Sequence, residues 1–375
     1  MNSVQDRTDV LIVGGGPAGL AAALAARRKG FKVMVADGAE PPLDKACGEG
    51  LMPDGVEAIR RLGVPLDSAD GFPFRGLRFL APGISVEATL ARGRGIGLRR
   101  IALHRLLLNA AAAAGVEFLW RTPATALLRG GVCFGNRFVR ARWTVGADGA
   151  GSRMRRWAGL GRKRFGSRRF GFRRHFRIGP WTDCVEVYWG AGCQLYVTPV
   201  SAREVCVALI SRRAGLRLAE ALPKFPELRA RLEDAEPTSA ERGAVSATFR
   251  LRRVCRGPVA LVGDASGALD AISGEGLGLC FHQAHALASA LEADDLSLYQ
   301  REHRRLARRP MLMTALMLAM DRWAGWRDRA LRALALNPAA FARLLSMHVG
   351  ASSGPEFVRK ALLPLASEML WSSSR

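Results

Sequence analysis

The chain has 375 residues, 49% of them hydrophobic, and a formal net charge of +23 that Arg supplies almost alone, since only Lys29, Lys32, Lys45, Lys163, Lys224 and Lys360 of its 56 basic residues are Lys. That length houses two cores, and basic residues spread along the chain without aromatic interleaving argue against a nucleic-acid surface. Seven Cys, an odd number with no C-x-x-C pair, exclude a simple disulfide framework and a zinc ribbon, and the longest apolar run, Met311 to Met320, is too short to span a bilayer.

Reduced Cys, and a first strand that starts almost at Met1 with no leader before it, fit a cytoplasmic setting. The stretch from Thr8 to Asp37 organises the rest. Val10, Leu11, Ile12 and Val13 are an uninterrupted apolar run, the mark of a strand buried on both faces. Gly14, Gly16 and Gly19 then fall in the order G-x-G-x-x-G. An Ala- and Leu-rich helix follows from about Pro17 to Arg28, and a second strand, Lys32 to Ala36, ends at Asp37. Gly14 permits the tight turn, Gly16 lets a pyrophosphate approach the backbone, and Gly19 lets helix and strand pack closely. The pyrophosphate rests on free N–H groups at the helix start, where the macrodipole favours negative charge. Asp37 accepts hydrogen bonds from ribose hydroxyls. Strand, glycines, helix, strand and acid in register define a dinucleotide-binding unit and leave the dinucleotide open.

A Pro- and Gly-rich loop through Cys47-Gly48-Glu49-Gly50-Leu51 leads to a helix over Gly55 to Leu62, then to short strands between Phe74 and Leu90. Arg100 opens a further helix, with Leu103 and Leu107 on the same face, before a strand at Val116 to Trp120. A second cluster, VGADGAGSRMRR from Val145 to Arg156, places a sharp turn at Asp148-Gly149 after a strand. From Phe165 to Ser211 the apolar period falls to two, as in a β-rich second domain, and a helix is predicted over Leu216 to Glu233. In a third cluster, a buried strand from Val259 to Val262 ends at Gly263-Asp264, and Gly274, Gly276 and Gly278 open a helix that runs to about Leu291. Beyond residue 300 the chain is helical and Arg-studded. Its run REHRRLARRP and the Met- and Leu-rich stretch after it read as a helical cap packed on the first domain with a solvated Arg face. The alternative is an amphipathic surface in peripheral contact with anionic membrane.

Three motifs in this order resemble the FAD-dependent oxidoreductases with the para-hydroxybenzoate hydroxylase fold: Gly14 to Gly19 with Asp37; Gly146-Ala147-Asp148-Gly149 with Ser152 and Arg155; and Gly263-Asp264-Ala265 before the Gly-rich helix start. The resemblance covers residues 10 to about 290 and implies FAD rather than NAD in the first domain. It implies Asp37 on the adenosine ribose, Arg100 on the pyrophosphate and Asp264 on the ribityl chain. Gly14, Gly16, Pro17, Ala18, Gly19, Asp148, Gly263, Gly274, Gly276 and Leu277 complete the expected cofactor contacts. A helix start at Gly276 and Gly278 then favours the negative charge that reduced flavin carries near N1 and the C2 carbonyl.

Within that superfamily the chain leans two ways. The stretch ACGEGLMP, and GDASGALDAISGEGLGL without a His after Gly-Asp-Ala, look like the geranylgeranyl reductase branch. Hydroxylases of the family usually carry Pro where Ile272 stands. The complete DGAGSRMRR looks like class A flavin monooxygenases, in which this segment serves both FAD and the incoming nicotinamide nucleotide. The Trp signature of flavin halogenases is absent.

The expected architecture is α/β: a Rossmann-like FAD-binding domain with a mixed sheet (1–73, 97–160 and 245–298), interleaved with a β-sheet substrate domain (74–96 and 161–244), plus a C-terminal helical segment (299–375). The leading expectation is an NAD(P)H-using monooxygenase that hydroxylates an apolar aromatic or quinone-like substrate with O2. A flavin reductase of isoprenoid C=C bonds is the alternative, and a non-catalytic basic FAD-binding protein the third reading. Cys47 is the catalytic candidate, near the flavin ring or else a structural thiol. No metal site is expected, because His282 and His285 have no third ligand in reach of the pattern. Trp181, Tyr188, Trp189 and Tyr196 line a pocket or pack the sheet.

Overall fold

The computed structural model describes residues 6–67 and 69–350; residues 351–375 of the expected C-terminal segment lie outside the described residues. The apolar run at the start becomes the strand Asp6–Val13, which lies between Val33–Ala36 and Arg137–Gly146, parallel to both. Register sets the strand ends level: Val13 stands beside Ala36 on one side and Gly146 on the other, and Gly146 beside Leu261 of the strand Val259–Leu261. The sheet continues to Glu117–Leu119 at one edge and Cys255–Arg256 at the other, with the antiparallel strands Ala126–Leu128 and Gly131–Phe134 attached to Arg137–Gly146. The helices Pro17–Arg27, Arg100–Ala113 and Gly276–Glu292 cover one face through a core that includes Leu20, Leu107 and Phe281.

The second sheet runs in the order Glu236–Pro237, Arg162–Arg177, Glu204–Ser211, Cys193–Ser201, Cys184–Trp189, Gly76–Ala81, Ile84–Thr89. Two separate excursions of the chain build it, joined where Cys184–Trp189 pairs in parallel with Gly76–Ala81. One boundary differs from the expectation. Arg242–Leu251 pairs antiparallel with Arg162–Arg177, from Arg173 opposite Arg242 to Arg162 opposite Leu251. It therefore belongs to the second sheet, not to the cofactor domain, which resumes near Cys255. Phe249 is its one fully buried side chain, so the segment lacks the apolar run that would mark it as a strand. The helix predicted over Leu216 to Glu233 is broken into Leu218–Ala221, a 3-10 turn at Leu222–Lys224, and Pro226–Leu232. Pro223 and Pro226 each remove a helix N–H donor.

The C-terminal helices Leu296–Arg322, Ala324–Leu336 and Pro338–His348 form a cap that packs on both domains, not on the first alone. Leu296–Arg322 does lie along Gly276–Glu292, yet Leu331, Leu334, Phe341 and Leu345 pack on Phe79, Val86 and Trp189 of the second sheet, with the Phe79 and Phe341 rings 5.0 Å apart. Met317 and Met320 of the Met- and Leu-rich stretch join the same apolar cluster.

Candidate functional site

Because the parallel strands end level, the turns after them open on one crevice, where ligands of open α/β sheets bind. The crevice is a cavity of about 910 Å³, near the top of the range for cofactor and ligand sites. Gly14, Gly16, Pro17, Ala18, Asp37, Cys47, Arg100, Asp148, Gly263, Asp264, Gly274, Gly276 and Leu277 all line it. Of the expected contacts only Gly19 is set back. A Cβ there would lie 1.8 Å from the Gly14 carbonyl oxygen, so this glycine serves the close packing of helix on turn. Gly14 has φ +117°, and a Cβ on it would lie 2.4 Å from the Ala147 carbonyl oxygen, so the first and second turns touch through it.

Hydrogen bonds then hold the turns to one another. The Asp37 carboxylate accepts from Gly15 N–H at 2.7 Å and Ala39 N–H at 2.8 Å, which braces the glycine loop. The buried ring of His104 meets the Gly15 carbonyl at 2.9 Å. Burial lowers the His104 pKa, so the neutral ring donates there. Asp148 Oδ2 accepts from Arg153 and Met154 N–H at 2.7 and 3.1 Å at the start of the short helix Arg153–Trp157, whose N-cap is Ser152. Arg155 is 3% exposed and donates to the carbonyls of Ala150 (2.7 Å) and Ala265 (3.0 Å), which ties the second turn to the third. Its guanidinium therefore points into the protein. Asp264 pairs with Lys45 at 3.2 Å.

The model for "FAD binding domain" matches residues 7–173. Menaquinone reductase of Mycobacterium tuberculosis is 30% identical over 326 residues, 79% of each chain. Digeranylgeranylglycerophospholipid reductase 1 of Methanothermobacter thermautotrophicus is 27% identical over 334 residues, 80% of this chain and 82% of that one. The chain belongs to the FAD-dependent oxidoreductases. Among solved structures, a flavoprotein/dehydrogenase from Cytophaga hutchinsonii aligns with a TM-score of 0.82 at 19% identity over 98% of this chain and all of that one. A 2-methyl-3-hydroxypyridine-5-carboxylic acid oxygenase aligns at 0.74 and 24% identity over 85% of this chain and 93% of that one. Both share the fold.

The residues fit the cofactor of this oxidoreductase family. Arg100 is 9% exposed, and among the described residues its Nη1 has no partner and neither has the buried Asp148 Oδ1. A buried cation and a buried acceptor left open in this way match a pyrophosphate and a hydroxyl donor. A Cβ added at Gly16 or Gly276 would meet no atom of the described residues within 4 Å, so both glycines border open space in the cavity. Gly278 differs: it stands off the cavity against Gly55, the Gly55 Cα lying 3.7 Å from where its Cβ would be, and it joins two helices rather than admitting a cofactor.

Sequence reasoning missed a buried ionic knot behind Cys47. Glu49, with φ +60° and 3% exposure, accepts from the Arg100 N–H at 2.9 Å and faces His175 Nε2 at 2.6 Å. Arg173 of the same strand as His175 bonds Asp44 at 2.5 Å and approaches Glu49 to 3.6 Å. Ligand atoms of Glu49, His175 and Cys206 lie within 4.8 Å of one another, but the Arg173 cation already occupies the charge environment a metal would need. The knot ties the cofactor end of the cavity to the second sheet. His282 and His285 pair elsewhere, with Asp54 at 3.6 Å and the Ala58 carbonyl at 2.9 Å.

The far end of the cavity is apolar. Phe74, Phe79 and Val187 line it from the strands, and Met313, Met317 and Phe341 from the cap. Of the four aromatic candidates, Tyr196 lines it and donates to the Ile272 carbonyl at 2.7 Å; Trp181 and Tyr188 instead donate to Glu186. Ile272 N–H donates to Asp270 Oδ1 at 3.1 Å. Pro at this position would lack that donor, which accounts for the departure seen in the sequence. Asp270 also meets Arg169 at 3.0 Å, and Arg169 meets Asp321 of the cap at 2.7 Å, so a buried ion triad locks the cap to the cavity loops. Cys47 lines the cavity, and burial pushes its thiol pKa up, so it presents S–H rather than thiolate.

Proposed function

We propose that this oxidoreductase saturates C=C bonds in an isoprenoid chain of a membrane-derived lipid or quinone. The observation that carries this is the apolar chamber between the second sheet and the C-terminal cap, continuous with the cofactor end of the cavity. The printed names of the menaquinone and digeranylgeranylglycerophospholipid reductases support it. In this reading Gly14, Gly16, Pro17, Ala18 and Asp37 hold the adenosine half of FAD. Arg100 neutralises the pyrophosphate, Asp148 and Asp264 accept from hydroxyls, and Gly263, Gly274, Gly276 and Leu277 form the wall at the ring. Bound FAD supplies a two-electron carrier, refilled by NAD(P)H or a comparable donor. The apolar wall orients the chain and excludes water, and the Cys47 thiol packs at the junction of the two ends.

No helix among the described residues is long and apolar enough to cross a membrane. We place the lipid entrance at the cap, where Trp326 lines the cavity and is itself 36% exposed, three residues after the exposed Trp323. Such a surface suits peripheral contact with anionic membrane.

The hydroxylating alternative draws on the complete segment from Asp148 to Arg156 and takes an aromatic or quinone-like substrate and O2. Anaerobic incubation of the flavin-loaded protein with NADPH or dithionite and a prenylquinone separates the two. A mass gain of two hydrogens per double bond is expected. No gain under anoxia, together with O2-dependent hydroxylation of phenols, would overturn the proposal.

A further inference from the structure

We infer that Glu275 is the proton donor of this reaction, delivering a proton to the substrate carbon opposite the one that receives hydride. The inference rests on the C=C reductase reading. An isolated isoprenoid double bond has no carbonyl to store charge, so hydride arriving at one carbon needs a proton at the other. Breaking the π bond therefore forms two C–H bonds, one from the hydride of two-electron-reduced FAD and one from a protein acid.

Glu275 stands where such an acid is needed. It separates two cavities: the main one, and a second of about 350 Å³ lined by Asp54, His282, Arg305, Arg309 and His348. Gly50, Met52, Gly274, Glu275 and His348 line both, so the carboxyl sits in the shared wall. It is 8% exposed, and among the described residues neither carboxylate oxygen has a hydrogen-bond partner. An ionised carboxylate left so would be costly. Asp54 from the helix Pro53–Arg61, Arg309 from the first cap helix and His348 from the last act on it, and His282 and Arg305 line the same second cavity. His348 Nδ1 lies 3.6 Å from Glu275 Oε1. Burial, with repulsion from Asp54, outweighs Arg309 and raises the Glu275 pKa to about 8, while burial holds His348 near 4 and neutral. Glu275 thus carries its proton at neutral pH and offers it to the apolar side. The carboxylate left behind recovers a proton from solvent through the polar pocket.

The test uses E275Q, which copies the uncharged shape without a transferable proton. In substrate-free holoenzyme, infrared titration is expected to show a protonated-carboxyl band with a midpoint near 8 in wild type that is missing in E275Q. FAD affinity should stay within about threefold, because Gln matches the neutral acid. In anaerobic single turnover with a prenylquinone, E275Q should slow flavin reoxidation by about 100-fold or more and lose the fall in rate above pH 8, and E275D should restore part of the rate. An active wild type with E275Q equally fast and its alkaline limb intact overturns the role of Glu275 alone, as does a wild type lacking the titrating band. A wild type that saturates no prenyl chain overturns the parent reading and this role together.

Discussion

At the polar end of the cavity, the groups facing a dinucleotide come from three turns, each following a strand whose neighbours end level with it. At the apolar end, the wall comes from strands near residues 74–89 and 184–198 and from cap helices beyond residue 300. Backbone does most of the first job and side chains most of the second. Turn geometry shapes most of the polar end, and the Glu49–His175 contact ties it to the second sheet. The apolar end exists only once three distant segments have packed. In the proposed reading one end holds the cofactor and the other selects the substrate.

Filling each end separately is the sharpest way to break that division. Gly276→Val places its side chain in open space, with no atom within 4 Å of the new Cβ. The fold should survive, while FAD affinity falls by about 100-fold, the upper end of what overfilling a tight site costs. Flavin absorbance after gel filtration, alongside apo-protein melting, checks this. Retention of FAD within threefold would show that the cofactor does not approach here. Met317→Trp narrows the apolar end instead. FAD content should be unchanged, while KM for long prenyl chains rises about tenfold relative to short ones. An equal effect on all chain lengths would place the substrate elsewhere.

A third test concerns the cap. His303 is buried against Ser266 at 2.9 Å, and burial holds its pKa near 4 rather than 6.5. A depressed folded-state pKa gives stability that is fully present above pH 6.5 and is lost as pH falls toward 4, on the order of 3 kcal/mol. Melting temperatures between pH 7.5 and 4.5 should drop, and less so in His303→Gln; an equal drop in the variant would assign the acid sensitivity to other groups.

The polar end was legible because its signals are local: Gly14, Gly16 and Asp37 lie within one βαβ unit, and each answers a backbone requirement. Arg155 was legible as a motif member, although its task of joining two turns was not. Glu49 and His175 escaped because they are 126 residues apart and neither sits in a pattern that names its partner. Gly278 shares the Gly-rich helix start with Gly276 in the sequence, whereas its packing neighbour Gly55 comes from a helix whose placement no local signal gives. The interruption near Leu222 was written in Pro223 and Pro226, and the apolar periodicity across them masked it.

The parallel pairing of Cys184–Trp189 with Gly76–Ala81 has a cost in time. Neither excursion can complete its sheet alone, so the substrate-side half has no route to the native state ahead of its partner. A closure over more than about 100 residues is slow by nature, and excising residues 162–251 would yield a fragment with an open edge rather than a self-standing module.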